Sequence, residues 1–155
     1  MKISLTNAQR KVYSIEESLK MLKDAGFDGV DFQIFGEAQE ALARPDYLAF
    51  FEKIGNYAKE IELEIAQTHA PYPSYVEEKS DEENEEIFQT IAKAVLASGK
   101  LGSKYVIVHP PVFPERKYDR LKEENREYGI NFYKRLEPYA KEAGVKICIE
   151  NMWNY

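Results

Sequence analysis

Two histidines and one glutamate recur along the chain at a nearly constant spacing. His69, His109 and Glu150 lie about 40 residues apart, and each directly follows a short run rich in apolar residues. Imidazole nitrogens and carboxylate oxygens are suitable ligands for Zn, Mn, Co or Mg ions. A divalent ion held by such groups polarises a carbonyl, stabilises an enediolate or activates water. The spacing therefore predicts a shared polar site, provided that the fold brings the three residues together.

The same period describes the elements that must position them. A length of about 40 residues corresponds to one strand-loop-helix-loop unit, and Asp31 stands one such interval before His69. Short apolar runs predict strands, because buried parallel strands are continuous hydrophobic segments. The predicted strands are Lys2–Thr6, Gly29–Phe35, Leu63–Thr68, Tyr105–Val108 and Val145–Ile149.

Amphipathic segments between these strands predict helices. Ser14 with Glu17 is a capping box that begins the first, and Ser80 or Asp81 begins the third. The second runs from near Pro45 to about Lys59, and the fourth covers Leu121–Ala143, with a bend near Pro138. Glycines end the helices at three of the four positions; Glu62 stands where the remaining glycine is expected.

The alternation of strands and helices predicts an α/β fold with a parallel sheet and right-handed crossovers. Polar residues at the carboxyl ends of parallel strands converge on one face. That face is the active site of an eight-stranded α/β barrel and the switch-point crevice of a doubly wound sheet. One residue of this kind could simply cap its own strand, but three in register favour a functional site.

Composition limits the possible classes. The 155 residues predict one domain with a hydrophobic core, and the single cysteine, Cys148, lies mid-strand and is expected to be inert core. The net charge of −6 disfavours nucleic-acid binding. No apolar run is long enough for a membrane helix and no leader is evident, so we expect a cytoplasmic, reducing location and no membrane partner. Glycine-rich phosphate loops and His-Glu-x-x-His motifs are absent from the sequence.

Three segments carry a resemblance to a known family. Thr68–Tyr72, Val106–Pro110 and Ala143–Asn151 resemble the third, fourth and fifth strands of the xylose-isomerase-like TIM barrels. That group contains sugar-phosphate isomerases and epimerases and is related to the AP-endonuclease type 2 enzymes. The ending Glu150-Asn151 is the most specific part of the resemblance, which covers nearly the whole chain.

The resemblance implies roles for individual residues. Glu150 matches a strand-five metal ligand that can also exchange the substrate proton, and His109 accompanies it as a catalytic residue. His69 and His109 match pocket residues that bind substrate in single-metal isomerases and metal in the endonucleases. Asn151 would support the site, and Trp153 would either stack on a sugar ring or pack in a core or interface.

The resemblance also implies an incomplete barrel. Residues 1–155 correspond to one truncated barrel domain of strands one to five, whereas the family's remaining metal ligands lie on strands six to eight. We therefore expect weak or no metal binding by this chain alone and association into a homo-oligomer. The leading hypothesis is a metal-dependent isomerase or epimerase of a sugar or sugar phosphate. The alternatives are an inactive partial barrel or binding module and, disfavoured by the acidic charge, an AP-endonuclease-like nuclease, so whether the chain alone is an enzyme stays open.

Overall fold

The computed structural model describes residues 1–7, 12–73, 79–111 and 123–150, in which strands alternate with helices. The strands are β1 (Ser4–Thr6), β2 (Gly29–Gln33), β3 (Glu64–His69), β4 (Tyr105–Val108) and β5 (Lys146–Ile149). The helices are α1 (Ile15–Asp24), α2 (Glu37–Ala41), α3 (Tyr47–Glu60), α4 (Asp81–Lys100) and α5 (Glu123–Ala143). The short helix α2 was not anticipated from the sequence.

The strands form one parallel sheet whose spatial order is the chain order, β1-β2-β3-β4-β5. In a doubly wound sheet the order reverses at a switch point, whereas in an α/β barrel each new strand is added beside the last. The uninterrupted order therefore decides between the two arrangements that the sequence left open. The predicted fold class, a partial α/β barrel of five strands, is confirmed.

The hydrophobic core lies between the sheet and the helices. Val30, Phe32, Val106 and Val108 are completely buried on the helix-facing side of the strands. Helix residues that share this core are Leu19, Phe51, Ile91, Val95 and Leu136. The alternate strand positions face the inner side of the sheet, where side chains are only partly covered. Burial is thus one-sided, as expected when a barrel interior is not closed.

The two outer strands of the sheet expose apolar side chains. Ile3, just before β1, and Leu5, within it, are 51% and 47% exposed, and Ile149 on β5 is 58% exposed. Cys148, expected in the core, is instead only partly buried, because β5 is an outer strand of the described sheet. In the part of the chain that the structure describes, no helix is both long and apolar enough to cross a membrane.

The helix ends follow the predicted signals. The predicted capping box of Ser14 with Glu17 forms, and of the two candidates for the start of the third helix Ser80 is the N-cap, where it forms a second capping box with Glu83. Helix α5 contains Pro138 within its span, and its predicted beginning at Leu121 lies outside the described residues. After α3, where no glycine is available, Glu62 itself adopts a left-handed conformation with φ of 56°. A side chain in that region is strained, because its Cβ approaches the neighbouring carbonyl oxygen.

Replacing this strained residue should stabilise the fold. We expect Glu62→Gly to raise the free energy of unfolding by about 0.5–1 kcal/mol, since glycine removes the left-handed penalty but adds freedom to the unfolded chain. The carbonyl oxygen of Glu62 that accepts from Lys23 Nζ is retained in this variant. Urea denaturation followed by circular dichroism measures the change.

Glu60→Gly is the matched control, because Glu60 is exposed and ends α3 in helical conformation. That variant should lose up to about 1 kcal/mol. Equal destabilisation by both variants would contradict the assignment of strain to Glu62.

The exposed edges predict self-association of the 155-residue chain. Apolar burial contributes roughly 25 cal/mol per Å2, so covering a few hundred Å2 at β1 and β5 is worth several kcal/mol. We expect dimers or larger species in light scattering coupled to size exclusion, shifted toward monomer by Ile149→Lys. Ile130→Lys is the control, since Ile130 is comparably exposed but lies on α5. A sharp 18.0 kDa monomer with cooperative unfolding across a dilution series would contradict the prediction.

Candidate active site at the strand ends

The three periodic residues meet at the carboxyl ends of their strands. His69 is the last residue of β3, His109 follows β4 and Glu150 follows β5. One ligand atom from each lies within 4.8 Å of the others. Residues separated by about 40 positions therefore form one cluster, which we call the His-His-Glu cluster.

A register shift places His69 on the inner face. Val30 pairs with Ile65, but Asp31 pairs with Gln67, so Ala66 is passed over in the ladder between β2 and β3. Because side chains alternate between the faces of a strand, one extra residue reverses the direction of those that follow. Thr68 consequently faces the helices, where its hydroxyl donates to Ser98 Oγ at 2.7 Å. His69 pairs with Gln33 and shares its face.

Short contacts connect the cluster. His69 Nε2 lies 3.3 Å from Glu150 Oε2, and His109 Nδ1 lies 3.8 Å from the same oxygen. On its other side, His69 Nδ1 lies 2.8 Å from Asp31 Oδ1. The Tyr72 ring packs against His109 with centroids 5.2 Å apart. His69 is therefore held between two carboxylates, whereas His109 contacts Glu150 and an aromatic ring.

The two imidazoles experience opposite electrostatic environments. Burial disfavours protonation of His69, but its hydrogen bonds and charge interactions with Asp31 and then Glu150 outweigh that effect, so its pKa is raised. Burial lowers the pKa of His109, and the neighbouring His69 lowers it further against the opposing charge of Glu150. Near neutral pH, without a metal, the site pairs a protonation-prone imidazole with a neutral one.

The cluster fits a divalent metal ion. Two imidazole nitrogens and a carboxylate are a donor set that zinc and related ions accept, and ligand atoms on a tetrahedral ion lie about 3.4 Å apart. The distances of 3.3 and 3.8 Å to Glu150 Oε2 are close to that value. In addition, His109 Nδ1 is a buried atom without a hydrogen-bond partner among the described residues. A ligand at this position would satisfy it.

The predicted roles of individual site residues stay predictions. Asn151 and Trp153 lie outside the described residues, so their substrate-binding roles stay predictions, as do the roles assigned to His69, His109 and Glu150. Sequence reasoning gave no role to Asp31 or to Gln33, which donates to it through Nε2 at 3.2 Å. The position of Asp31 in the same period was the signal that could have identified it.

A separate groove lies between α2 and α4. Its volume is about 1250 Å3, and it includes Phe35, Leu42 and several carboxylates of α4. None of the strand-end residues of the His-His-Glu cluster lines it. The groove and the candidate site are therefore distinct.

Comparison with known proteins identifies the family. Residues 19–155 match the profile of the xylose isomerase-like TIM barrel. The chain belongs to the xylose isomerase-like TIM-barrel family. Among curated proteins no sequence gives a significant match.

Several solved structures share the fold of this chain. The chain is similar to the 3-keto-D-glucoside 4-epimerase YcjR from E. coli, with a TM-score of 0.73 and 20% identity over 100% of this chain and 57% of that one. A putative xylose isomerase from Rhodospirillum rubrum gives 0.76 and 14% identity over 98% and 54%. An IolI protein with a bound zinc atom gives 0.63 and 17% over 96% and 51%. The chain thus spans about half the length of these structures, and identities this low establish the fold alone.

The two histidines should titrate in a defined order. In the metal-free chain we expect His69 to lose its proton at higher pH than His109, because Asp31 and Glu150 stabilise its charged form. The chain has only these two histidines, so imidazole proton resonances in an NMR titration report both directly. His109→Gln assigns the remaining signal to His69. The reverse order would contradict the arrangement described here.

Proposed function

We propose that this chain carries part of the active site of a metal-dependent isomerase or epimerase that acts on a sugar or sugar phosphate. The supporting observation is the convergence of Glu150 with His69 and His109 at the strand ends of a xylose isomerase-like fold. Structures of similar fold include a 3-keto-D-glucoside 4-epimerase and a D-psicose 3-epimerase. A carbonyl sugar is accordingly the substrate class.

The exposure and contacts of each site residue indicate its role in the proposed reaction. Glu150 is 43% exposed, so its carboxylate is accessible to an incoming ligand, and we assign it to metal binding and to transfer of the proton beside the carbonyl. His109 Nδ1, buried and without a described partner, and His69 Nε2 face the same position. A bound divalent ion would stabilise negative charge on a substrate oxygen during that transfer.

The histidines have two alternative roles that metal binding separates. If they are ligands, His69→Gln and His109→Gln each weaken metal affinity; if they contact only substrate, both variants leave it unchanged. The orphaned Nδ1 of His109 favours the first role. Asn151 and Trp153 complete the proposed substrate contacts from the segment that follows Glu150.

Metal titration provides the first test of this proposal. Three protein donors on an open face should give weak binding, so calorimetry with Mn2+ or Zn2+ should show saturable binding without a tight site. Glu150→Gln should abolish it, whereas Glu60→Gln, which changes an exposed carboxylate at the end of α3, should not. Equal binding by wild type and Glu150→Gln would overturn the proposed metal role. Sub-micromolar binding would instead show that the chain alone provides a complete site.

Proton exchange tests the reaction itself. With saturating Zn2+ in deuterated water, we expect slow loss of the carbon-bound proton beside the carbonyl of D-fructose or D-tagatose, measured by NMR. The loss should require Glu150 and persist in Glu60→Gln. Absence of exchange by metal-saturated chain would favour the binding-module alternative.

A further inference from the structure

One carboxylate of the site has no place in the reaction proposed above. Asp31, on β2, directs Oδ1 at His69 Nδ1 over 2.8 Å, while its second oxygen accepts from Gln33 Nε2 at 3.2 Å. The backbone N–H of Gln33 donates in turn to Asn7 Oδ1 at 2.6 Å. Asp31 is therefore fixed by a neighbour on its own strand, and that strand is tied to the end of β1.

A neutral His69 ring carries one N–H, and the geometry decides which of the two carboxylates accepts its hydrogen bond. The Asp31 contact, at 2.8 Å, is shorter than the 3.3 Å contact to Glu150. Asp31 is also less exposed, 21% against 43%, so water competes less for its oxygen. A shorter hydrogen bond in a drier environment is the stronger one. The proton therefore belongs on Nδ1, which leaves the Nε2 lone pair directed toward Glu150.

His109 provides an internal contrast. Its Nδ1 lies on the Glu150 side and has no hydrogen-bond partner among the described residues. Its ring is located by packing against Tyr72 and against His69, whose ring centroid is 5.7 Å away. The structure thus shows one imidazole held by a carboxylate and one held by ring contacts.

We propose that Asp31 is the positioning residue of the site: it accepts the Nδ1 proton of His69 and so presents the Nε2 lone pair to whatever binds beside Glu150. A carboxylate behind an imidazole fixes both the tautomer and the ring orientation and increases the basicity of the free nitrogen. Gln33 contributes by fixing the second oxygen of Asp31. The register shift at Ala66 is what brings Asp31 and His69 to one face.

The tautomer of His69 is directly measurable. Nitrogen-15 NMR of the ring, at alkaline pH where both imidazoles are neutral, distinguishes a protonated nitrogen from a lone-pair nitrogen. In the wild type we expect Nδ1 of His69 to be the protonated atom. In Asp31→Ala it loses its acceptor, and the proton should move to Nε2, where Glu150 is the remaining carboxylate in reach. Asp31→Asn, which retains the shape without the charge, should give an intermediate population.

Asp28→Asn is the matched control. Asp28 is an exposed carboxylate just before the amino end of β2, where it accepts from the backbone N–H of Ile3 at 2.8 Å. This variant removes one charge from the same part of the chain without touching the site, so the His69 resonances should stay unchanged. Circular dichroism and urea denaturation of all variants show whether each is folded. A purely structural role for Asp31 would lower stability and leave the tautomer as it is.

The metal arm of the experiment rests on the proposed function, whereas the tautomer arm does not. With Co2+ as the probe, absorption titration should show metal affinity reduced about 10- to 100-fold in Asp31→Ala and unchanged in Asp28→Asn. An unchanged His69 tautomer in Asp31→Ala overturns the inference even if metal binds. A changed tautomer in a chain that binds no Co2+ would overturn the metal proposal and leave the positioning role standing.

Discussion

The site depends on the register between β2 and β3. One residue, Ala66, has no partner on β2, and this reverses the faces of every later residue of β3. Without that shift, Thr68 would occupy the inner face beside Asp31 and Gln33, and His69 would point into the helix layer. Thr68 instead satisfies its hydroxyl against Ser98 inside the core, which anchors the shifted register from the buried side. The same irregularity therefore serves both packing and chemistry.

The site combines partial burial with a carboxylate on each side of His69. Asp31 and Glu150 flank His69, and their combined effect exceeds the desolvation that disfavours its charge, whereas His109 receives less compensation and stays neutral. Asp31 and Glu150 thus both favour positive charge at the His69 ring, one from each nitrogen.

The fold is well buried on one side and open on the other. Helices α1, α3, α4 and α5 cover the outer side of the sheet, while the outer strands β1 and β5 of the described sheet expose apolar side chains. Glu150, which directly follows β5, is also exposed, with 43% of its side-chain surface accessible. The chain covers 57% and 54% of the two similar structures, the 3-keto-D-glucoside 4-epimerase and the xylose isomerase-like protein of Rhodospirillum rubrum.

The sequence by itself determined the alternation of elements, the capping box of Ser14 with Glu17 and the convergence of His69, His109 and Glu150. These depend on local signals: apolar periodicity, cap residues, and a repeat length that returns each strand end to the same edge. Only the tertiary structure decided the left-handed Glu62, the partial exposure of Cys148 and the pairing of Asp31 with His69. The physical reason is that strand register and edge position are set by hydrogen bonds between residues far apart in the chain, to which local propensity is insensitive.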